Sequence, residues 1–596
     1  MKEKYSPAAQ NVLAYLLSHP YDRVSLLTHI PPQVKATLLG MYSRNDQPMR
    51  DTLLKTIVLV EFGLKKNSDY DALPAEGKEK TYQEYAKTLP SGLRESLKKK
   101  IIMLEMCLKN ENNYDSVPEK LKEIISKKYA DLLPSDEPPL YHLFDKKAAG
   151  FLEEWAIKHG HQSLKETAPV AYIVEGVSII TAKALEDDPL FHGQELSTRY
   201  KSFAKQKVQI PPTLAASPLR EELEKYFTES LERYLYATHE LNEYQEKAFQ
   251  KPTELSLAGW KNVLTAETFD NARYYLNAGI TTSLGIMEDA RTLERKLRNI
   301  LVFPFPETRE VAHEIIEKAK IELSTLITHT QPNEYKMVTE KKLEKVLETV
   351  MVLERDDQRE GSITMPESRV HLLHATPDLE NRMIADILYG EGRHFYPWDH
   401  VYARVKAMTM SEKKGVLEQT FEKLGDHDEF LRQLNGTRMI FEMYPDFGAW
   451  RDIQRHRRSR QTFPLPTCDF GYDVPSLLKE AGLEQHYKEH QEKAREIFEQ
   501  ARKICPEEAI IIPTLGFRVK QVIDADMGEW LYIWRLRTTP KGHFSYRQLF
   551  IETFEHAKPY IPLLAEIVEK KGLITKGEFR HGRLVEEQRY EEKQKR

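Results

Sequence analysis

A short stretch of the C-terminal half, RDIQRHRRSR at 451–460, carries five arginines and one histidine. Guanidinium groups form bidentate, charge-assisted hydrogen bonds with phosphates and with the carbonyl edges of flavins or pyrimidines. A helix over 446–460, capped by Asp446, would place Arg451, Arg455 and Arg458 on one face. Like charges so placed repel by about 0.2–0.5 kcal/mol per pair unless an anion or carboxylates lie opposite. The stretch therefore indicates an anion site, with a solvated basic surface or an RNA-binding patch as the alternative.

A second polar stretch, QELSTRY at 194–200, places Glu195, Ser197 and Arg199 at alternating positions. In an extended segment these three side chains point the same way. An acceptor, a hydroxyl and a guanidinium on one side could bind a nucleoside hydroxyl and a phosphate. An ordinary polar loop is the alternative interpretation.

Length and composition limit the class of protein. A chain of 596 residues exceeds what one hydrophobic core supports, so two or more domains are expected. The net charge of −5, with 30% charged residues, argues against a protein whose whole surface binds nucleic acid or acidic membrane. Cys107, Cys468 and Cys505 have no CxxC spacing, which argues against disulfides and structural zinc. Without a secretory signal or a run of 18 apolar residues, we expect a cytoplasmic protein with no membrane segment.

The elements that must position these residues are mostly helices, because apolar residues recur at spacings of three and four. The best strand signals are VAYIV at 170–174 and TRMIFEMY at 437–444, each preceded by a Gly/His segment. Each half later reaches a helix that carries arginines, at 289–300 and 527–537. The repeated order predicts a helix-rich α+β fold in two diverged copies, residues 1–345 and 371–596. The segment 346–370 would link them.

Several of these motifs together resemble the flavin-dependent thymidylate synthases. The C-terminal half carries QRHRRSR at 454–460, which is similar to the family's RHR motif. The N-terminal half carries QELSTRY at 194–200, NARYYLNAGITTS at 271–283 and DARTLERKL at 289–297. These segments are similar to the family's ELSxRY, ARxxLP and NARSL elements. The resemblance spans nearly the whole chain, as two copies.

Each half lacks what the other keeps. The first copy has Asp187–Pro189 where RHR is expected, and the second has Phe463–Thr467 where ELSxRY is expected. The family's active site forms between subunits of a homotetramer. The resemblance therefore implies one composite site, with RHR from one half and ELSTRY from the other. It also implies self-association into a homodimer that is similar to a tetramer of single copies.

The resemblance implies an enzyme that converts dUMP to dTMP, with FAD as cofactor and with NADPH and methylenetetrahydrofolate as co-substrates. The implied catalytic residues are Arg455, His456, Arg457 and Arg537. The implied cofactor-binding residues are His161, Arg291, Arg455, His456, Arg457 and His543. The implied substrate-binding residues are Glu195, Ser197, Arg199, Arg273 and Arg537. No metal site is implied.

Other chemistry is also open to the sequence. Cys468, close to the basic cluster, could act as a thiol nucleophile on a pyrimidine. His371 and His374 could suggest metal ligands, but a helical pair without a third ligand is the simpler interpretation. The charged C-terminal end, YEEKQKR, is expected to be disordered. A catalytically degenerate homologue that binds a nucleotide or RNA, and a flavoenzyme that methylates another uridine-like substrate, are the alternatives to a thymidylate synthase.

Overall fold

The computed structural model describes residues 4–28, 47–61, 71, 73–88, 153–323, 325–352, 368–390, 396–577 and 580–595. Cys107 and most of the predicted linker, 353–367, lie outside these residues. The strands are β1 Val24–Leu26, β2 Pro169–Ser178, β3 Gly193–Glu195, β4 Thr281–Asp289, β5 Val370–Ala375, β6 Arg438–Met443, β7 Arg460–Gln461 and β8 Gln521–Asp526.

The helices, numbered along the chain, are α1 Pro7–Leu16, α2 Met49–Glu61, α3 Ala75–Thr88, α4 Ile179–Glu186, α5 Pro212–Ala215, α6 Arg220–Ala248, α7 Leu257–Ala272, α8 Ala290–Ile300, α9 Pro306–Leu323, α10 Glu334–Val352, α11 Leu379–Gly390, α12 Trp398–Ala407, α13 Met410–Phe421, α14 Phe447–Ile453, α15 Ser476–Glu480, α16 Glu484–Ile504, α17 Pro506–Ala509, α18 Met527–Arg537, α19 Phe544–Ala557, α20 Pro562–Lys570 and α21 Leu584–Lys595. Most of the described chain is helical, so the helix-rich α+β prediction is confirmed.

The chain divides into two compact units. Unit 1 comprises Met1–Val177, Leu190–Leu196 and Thr282–Lys341. Unit 2 comprises Ser178–Pro189, Ser197–Thr281 and Lys342–Arg596. This division differs from the predicted domain boundaries at 345 and 371, because 197–281 of the N-terminal half belongs to unit 2.

Each unit contains a four-stranded sheet, and the two sheets share one strand order. In unit 1 the order is β1-β2-β4-β3, and in unit 2 it is β5-β6-β8-β7. The pairs β1–β2, β3–β4, β5–β6, β6–β8 and β7–β8 are antiparallel. The predicted strands at 170–174 and 437–444 are β2 and β6 and are therefore confirmed.

The core of unit 2 lies against one face of its sheet. Met439, Phe441 and Met443 alternate along β6 and are fully buried, as a strand with one covered face requires. Trp530 and Trp534 of α18 belong to the same core, and the Trp530 indole donates to the Met439 carbonyl oxygen at 3.1 Å. This packing fixes α18 on the sheet.

Two local expectations were wrong. His371 and His374 lie on strand β5 and not on a helix. Residues 590–595 of the charged C-terminal end lie in α21, where Glu591 accepts from the Ser256 N–H of unit 2 at 3.1 Å. Contacts of this kind are not visible in local composition.

Candidate functional site

The basic stretch begins on a short helix and continues in a turn. Asp446 caps α14 by accepting from the Ala449 N–H at 2.7 Å, as predicted. The helix ends at Ile453, since the chain must turn within a few residues to reach β7 at Arg460. The predicted single helical face of Arg451, Arg455 and Arg458 is therefore wrong, because Arg455 and Arg458 follow the helix.

The hydroxyl of Thr198 joins segments from the two halves of the chain within unit 2. Arg451 donates to Thr198 Oγ1 at 3.0 Å, and Arg273 donates to the same oxygen at 3.3 Å. Arg273 follows α7 directly, in a 3-10 turn, and is 1% exposed. Its Nε and Nη2 are buried without a hydrogen-bond partner. Buried guanidinium nitrogens are costly to leave unpaired, so these two fit an anionic ligand.

The ELSTRY segment is not a single extended strand. Glu195 is buried at the end of β3, opposite Leu284 of β4 in unit 1, whereas Ser197 and Arg199 belong to unit 2. Ser197 Oγ accepts from the Arg199 N–H at 3.2 Å and so starts a turn. The extended segment that a common side-chain direction would require is therefore not present beyond Glu195.

Arg199 already has strong partners. Its Nε and Nη2 donate to the two carboxylate oxygens of Asp270, at 2.7 and 2.9 Å, and Arg583 donates to Asp270 at 3.2 Å. Burial alone would raise the pKa of Asp270, but Arg199 and Arg583 hold it well below its usual range. Arg199 Nη1 lies 3.8 Å from Asp452. The guanidinium of Arg199 is therefore largely committed to carboxylates.

Asp452 lies within the basic stretch and is the carboxylate around which the arginines gather. Burial raises its pKa, but the net effect of nearby guanidinium groups is to lower it well below the usual range. The arginines that lower it are Arg199, Arg455, Arg537 and Arg273. Asp270 takes up most of the Arg199 guanidinium, so the arginines near Asp452 that could meet an anionic ligand include Arg273 and Arg537.

His456 and Arg537 meet directly in unit 2. Arg537 Nε donates to His456 Nε2 at 2.7 Å, and Arg537 Nη2 donates to the Asp452 carbonyl oxygen at 2.6 Å. The opposite ring nitrogen, His456 Nδ1, lies 3.2 Å from Glu529. Arg537 is half-buried at the end of α18, whereas His456 and Glu529 are buried. Arg457, also half-buried, lies within the electrostatic reach of Glu186.

His543 has a structural role in unit 2. Its Nδ1 accepts from the Ser545 N–H at 3.3 Å at the start of α19, and its Nε2 donates to the Asp270 carbonyl oxygen at 3.1 Å. Burial and nearby Arg273 lower its pKa to about 3, so the ring is neutral. With both ring nitrogens engaged, His543 has none to offer a flavin.

The other predicted cofactor-binding residues lie in unit 1. Arg291 is exposed on α8 and pairs with Glu166 at 2.5 Å. His161 is exposed and directly precedes the 3-10 helix Gln162–Thr167. A cavity of about 790 Å³ opens beside α8. Its lining includes Gln162, Glu166, Arg291, Arg295, Arg298 and Asn333.

The thiol alternative is not supported by the surroundings of Cys468. The side chain is 2% exposed, and burial raises its pKa well above the usual value. A neutral buried thiol is a poor nucleophile. Among the described residues, no group of three His, Cys, Asp or Glu side chains could hold a metal ion, and no helix is long and apolar enough to span a membrane.

Similarity to known proteins agrees with the motifs. A family model described as thymidylate synthase complementing protein matches residues 81–323. The predicted resemblance to this family is confirmed. The thymidylate synthase-like match includes QELSTRY and DARTLERKL and ends before QRHRRSR.

Two relatives match a longer part of the chain, and their names state no function. A UPF0159 protein of Chlamydia muridarum (strain MoPn / Nigg) is 24% identical over 464 residues, covering 74% of this chain and 84% of that protein. A UPF0159 protein of Thermoplasma acidophilum is 22% identical over 480 residues, covering 74% of this chain and 92% of that protein. Among solved structures, the UMP/dUMP methylase PolB from Streptomyces cacaoi, bound with 5-Br dUMP, is 13% identical. The match covers 36% of this chain and 100% of the PolB chain, with a TM-score of 0.29.

Four residues of this site were missed in the sequence: Thr198, Asp270, Asp452 and Glu529. Thr198 lies inside QELSTRY and Asp452 lies inside RDIQRHRRSR, so both could have been found from these motifs. Asp270 directly precedes NARYY and could have been found in the same way. Glu529 gave no signal, because a glutamate in the first turn of a helix is ordinary.

Proposed function

We propose that this chain is a flavin-dependent thymidylate synthase that converts dUMP to dTMP, with methylenetetrahydrofolate as one-carbon donor and NADPH as reductant. The observation that carries the proposal is the pair of buried, unpartnered nitrogens of Arg273 beside Thr198 and Arg451. The match to the thymidylate synthase complementing family supports it.

The nucleotide would be held by charge. Arg273 and Arg451 would bind the phosphate of dUMP, because their guanidinium groups converge on one hydroxyl in a buried setting. Asp270 and Asp452 would orient Arg199 beside them. Arg537 would bind a carbonyl oxygen of the pyrimidine and stabilise negative charge that develops there. His456 remains neutral and positions Arg537.

The residues of the unit 1 cavity fit a phosphate-bearing cofactor such as FAD. Arg291, Arg295 and Arg298 recur at i, i+4 and i+7 on α8, and Arg298 Nε is buried without a hydrogen-bond partner. When bound in its reduced form, FAD would supply the hydride that completes the methyl group. Arg291 would bind the cofactor's phosphates, and His161 would also contact the cofactor.

The identical strand order of the two sheets supports a tandem duplication. In that interpretation, β1–β4 correspond to β5–β8, and the site combines 197–273 of the first copy with 451–537 of the second. A cytoplasmic location and a homodimer that is similar to a tetramer of single copies belong to the same proposal.

Binding and turnover test the proposal on the full-length protein. We expect yellow protein with bound flavin, and dTMP formed from dUMP when methylenetetrahydrofolate and NADPH are added. Arg273→Gln should weaken dUMP binding about 100-fold, because two charge-assisted hydrogen bonds are lost. Calorimetry measures the Kd for dUMP. Arg404→Gln, at an exposed arginine, is the control.

The outcomes separate the alternatives. Colourless protein that also fails to take up added FAD would exclude a flavoenzyme. Binding of dUMP without turnover would instead indicate a degenerate nucleotide-binding homologue. Turnover of UMP in preference to dUMP would indicate the alternative uridine-like substrate.

A further inference from the structure

A buried glutamate lies behind the His456–Arg537 pair. Glu529 occupies the first turn of α18, and its N–H donates to the capping Asp526 at 2.8 Å. Glu529 is only 3% exposed. The side chain points to His456 Nδ1, 3.2 Å away. Arg458 Nε lies 4.0 Å from the other carboxylate oxygen.

The hydrogen-bond directions determine where the histidine proton lies. Arg537 Nε can only donate, so His456 Nε2 must accept and carries no proton. The proton of the neutral ring is then on Nδ1, which faces Glu529. Burial and the charge of Arg537 lower the pKa of His456 well below its usual value, which agrees with a neutral ring.

The same contacts hold Arg537 in one orientation. Its Nε and Nη2 are engaged by His456 and by the Asp452 carbonyl, and its guanidinium lies 5.3 Å from the ring centroid of Tyr546. The remaining nitrogen, Nη1, is left for a ligand. A ring flip or a change of tautomer at His456 would break the bond to Nε.

We propose that Glu529 is a positioning residue that accepts the Nδ1 proton of His456, fixes the histidine tautomer and so aims Arg537 at the pyrimidine. The pyrimidine part of this proposal rests on the proposed function, whereas the tautomer part rests on the contacts alone. Carboxylates that orient a metal-bound histidine contribute about 10–100-fold to affinity or activity, and we expect Glu529 to act on a similar scale.

The charge of Glu529 adds a pH signature. Burial raises its pKa to about 7, with Asp526 acting in the same direction and Arg458 and Arg537 opposing. The carboxylate accepts a hydrogen bond more strongly than the acid does. Turnover should therefore rise as pH increases through about 7, and Glu529→Gln should abolish that step.

Two substitutions separate hydrogen bonding from charge. Glu529→Gln keeps an oxygen that accepts from Nδ1, and Glu529→Leu removes it. We expect kcat for dUMP to fall about fivefold in the glutamine variant and about 10–100-fold in the leucine variant. Glu508→Gln is the control, since Glu508 is an equally buried carboxylate that accepts from the backbone N–H groups of Thr213 and Leu214.

Nitrogen-15 spectra of histidine-labelled protein test the tautomer without any substrate. His456→Gln identifies the His456 signals by their loss. We expect the Nδ1–H tautomer in the wild type and in Glu529→Gln, and admixture of the Nε2–H tautomer in Glu529→Leu. A wild-type Nε2–H tautomer, or a leucine variant with unchanged spectrum and turnover, would overturn the proposal. A wild type without turnover bears on the proposed function alone, because the spectra still decide the role of Glu529.

Discussion

The two strand–helix pairs β4–α8 and β8–α18 have the same frame and different chemistry. Each strand ends on an aspartate, Asp289 or Asp526, which caps a helix of 11 residues. Asp289 accepts from the Thr292 N–H at 2.9 Å, and Asp526 accepts from the Glu529 N–H at 2.8 Å. The backbone geometry of the two pairs is therefore equivalent at the point where side chains diverge.

The divergence occurs at corresponding positions. Arg291 of α8 corresponds to Gly528 of α18, where a Cβ would lie 2.8 Å from the side-chain amide of Asn435 and could not be accommodated without movement. At the other end, the buried Ile300 corresponds to Arg537. Helix α8 therefore carries arginines that line the cavity of unit 1, and helix α18 carries Arg537, which contacts His456 and Asp452. Under the proposed function, the same backbone arrangement would bind a cofactor in one unit and the pyrimidine in the other.

The largest expected effect concerns Arg537. Arg537→Ala should lower kcat about 10²–10³-fold, the usual cost of removing one donor that stabilises developing charge. Steady-state kinetics with dUMP measure it. Arg535→Ala, two residues earlier on α18 and directed to the Asp428 carbonyl, is the control. Equal losses in both variants would mean that α18 acts only as a structural helix.

The next effect concerns the pH dependence of folding stability, which should change in a variant of Glu529 and not in a variant of its counterpart Thr292. The folded pKa of Glu529, about 7, lies above its unfolded value of about 4.5, so the native state binds the extra proton between these values. Stability is therefore lost as pH rises through this window. Glu529→Gln should gain about 2 kcal/mol relative to wild type between pH 5 and pH 8.5.

Melting temperatures at the two pH values measure that gain. Thr292→Val removes only a hydroxyl that donates to Asp289 at 2.8 Å, so its effect should not vary over this range. A pH-independent difference between Glu529→Gln and wild type would contradict the raised pKa.

A smaller effect is expected on the cofactor. Arg291→Ala should weaken FAD binding about tenfold, since one charged contact to phosphate is removed. Flavin fluorescence titration measures the Kd. Lys320→Ala, an exposed cation on α9, provides the control. An unchanged Kd for FAD in Arg291→Ala would show that the cavity of unit 1 does not bind FAD as proposed.

The smallest effects test whether the two frames are equivalent. Asp289→Ala and Asp526→Ala should each cost about 1 kcal/mol of stability through loss of a helix cap. Thermal unfolding detects both. A loss in one variant without a loss in the other would show that the caps are not interchangeable.

Local chemistry could be predicted from the sequence, and long-range contacts could not. The strands β2 and β6, the Asp446 cap and the family resemblance were all visible in short patterns. The helix over 446–460 was wrong because the pairing of β7 with β8 ends it, and the extended ELSTR segment was wrong because Ser197 starts a turn. The role of Glu529 depends on His456, 73 positions away.

Residues 197–281 lie in the N-terminal half of the chain but belong to unit 2. A duplicated gene ordinarily leaves one copy free to drift while the other is maintained. Under the proposed duplication, the first copy supplies Thr198 and Arg273 to a site that the second copy cannot complete alone. Neither copy is then redundant, and a break between the halves would leave two fragments that function only when they reassemble.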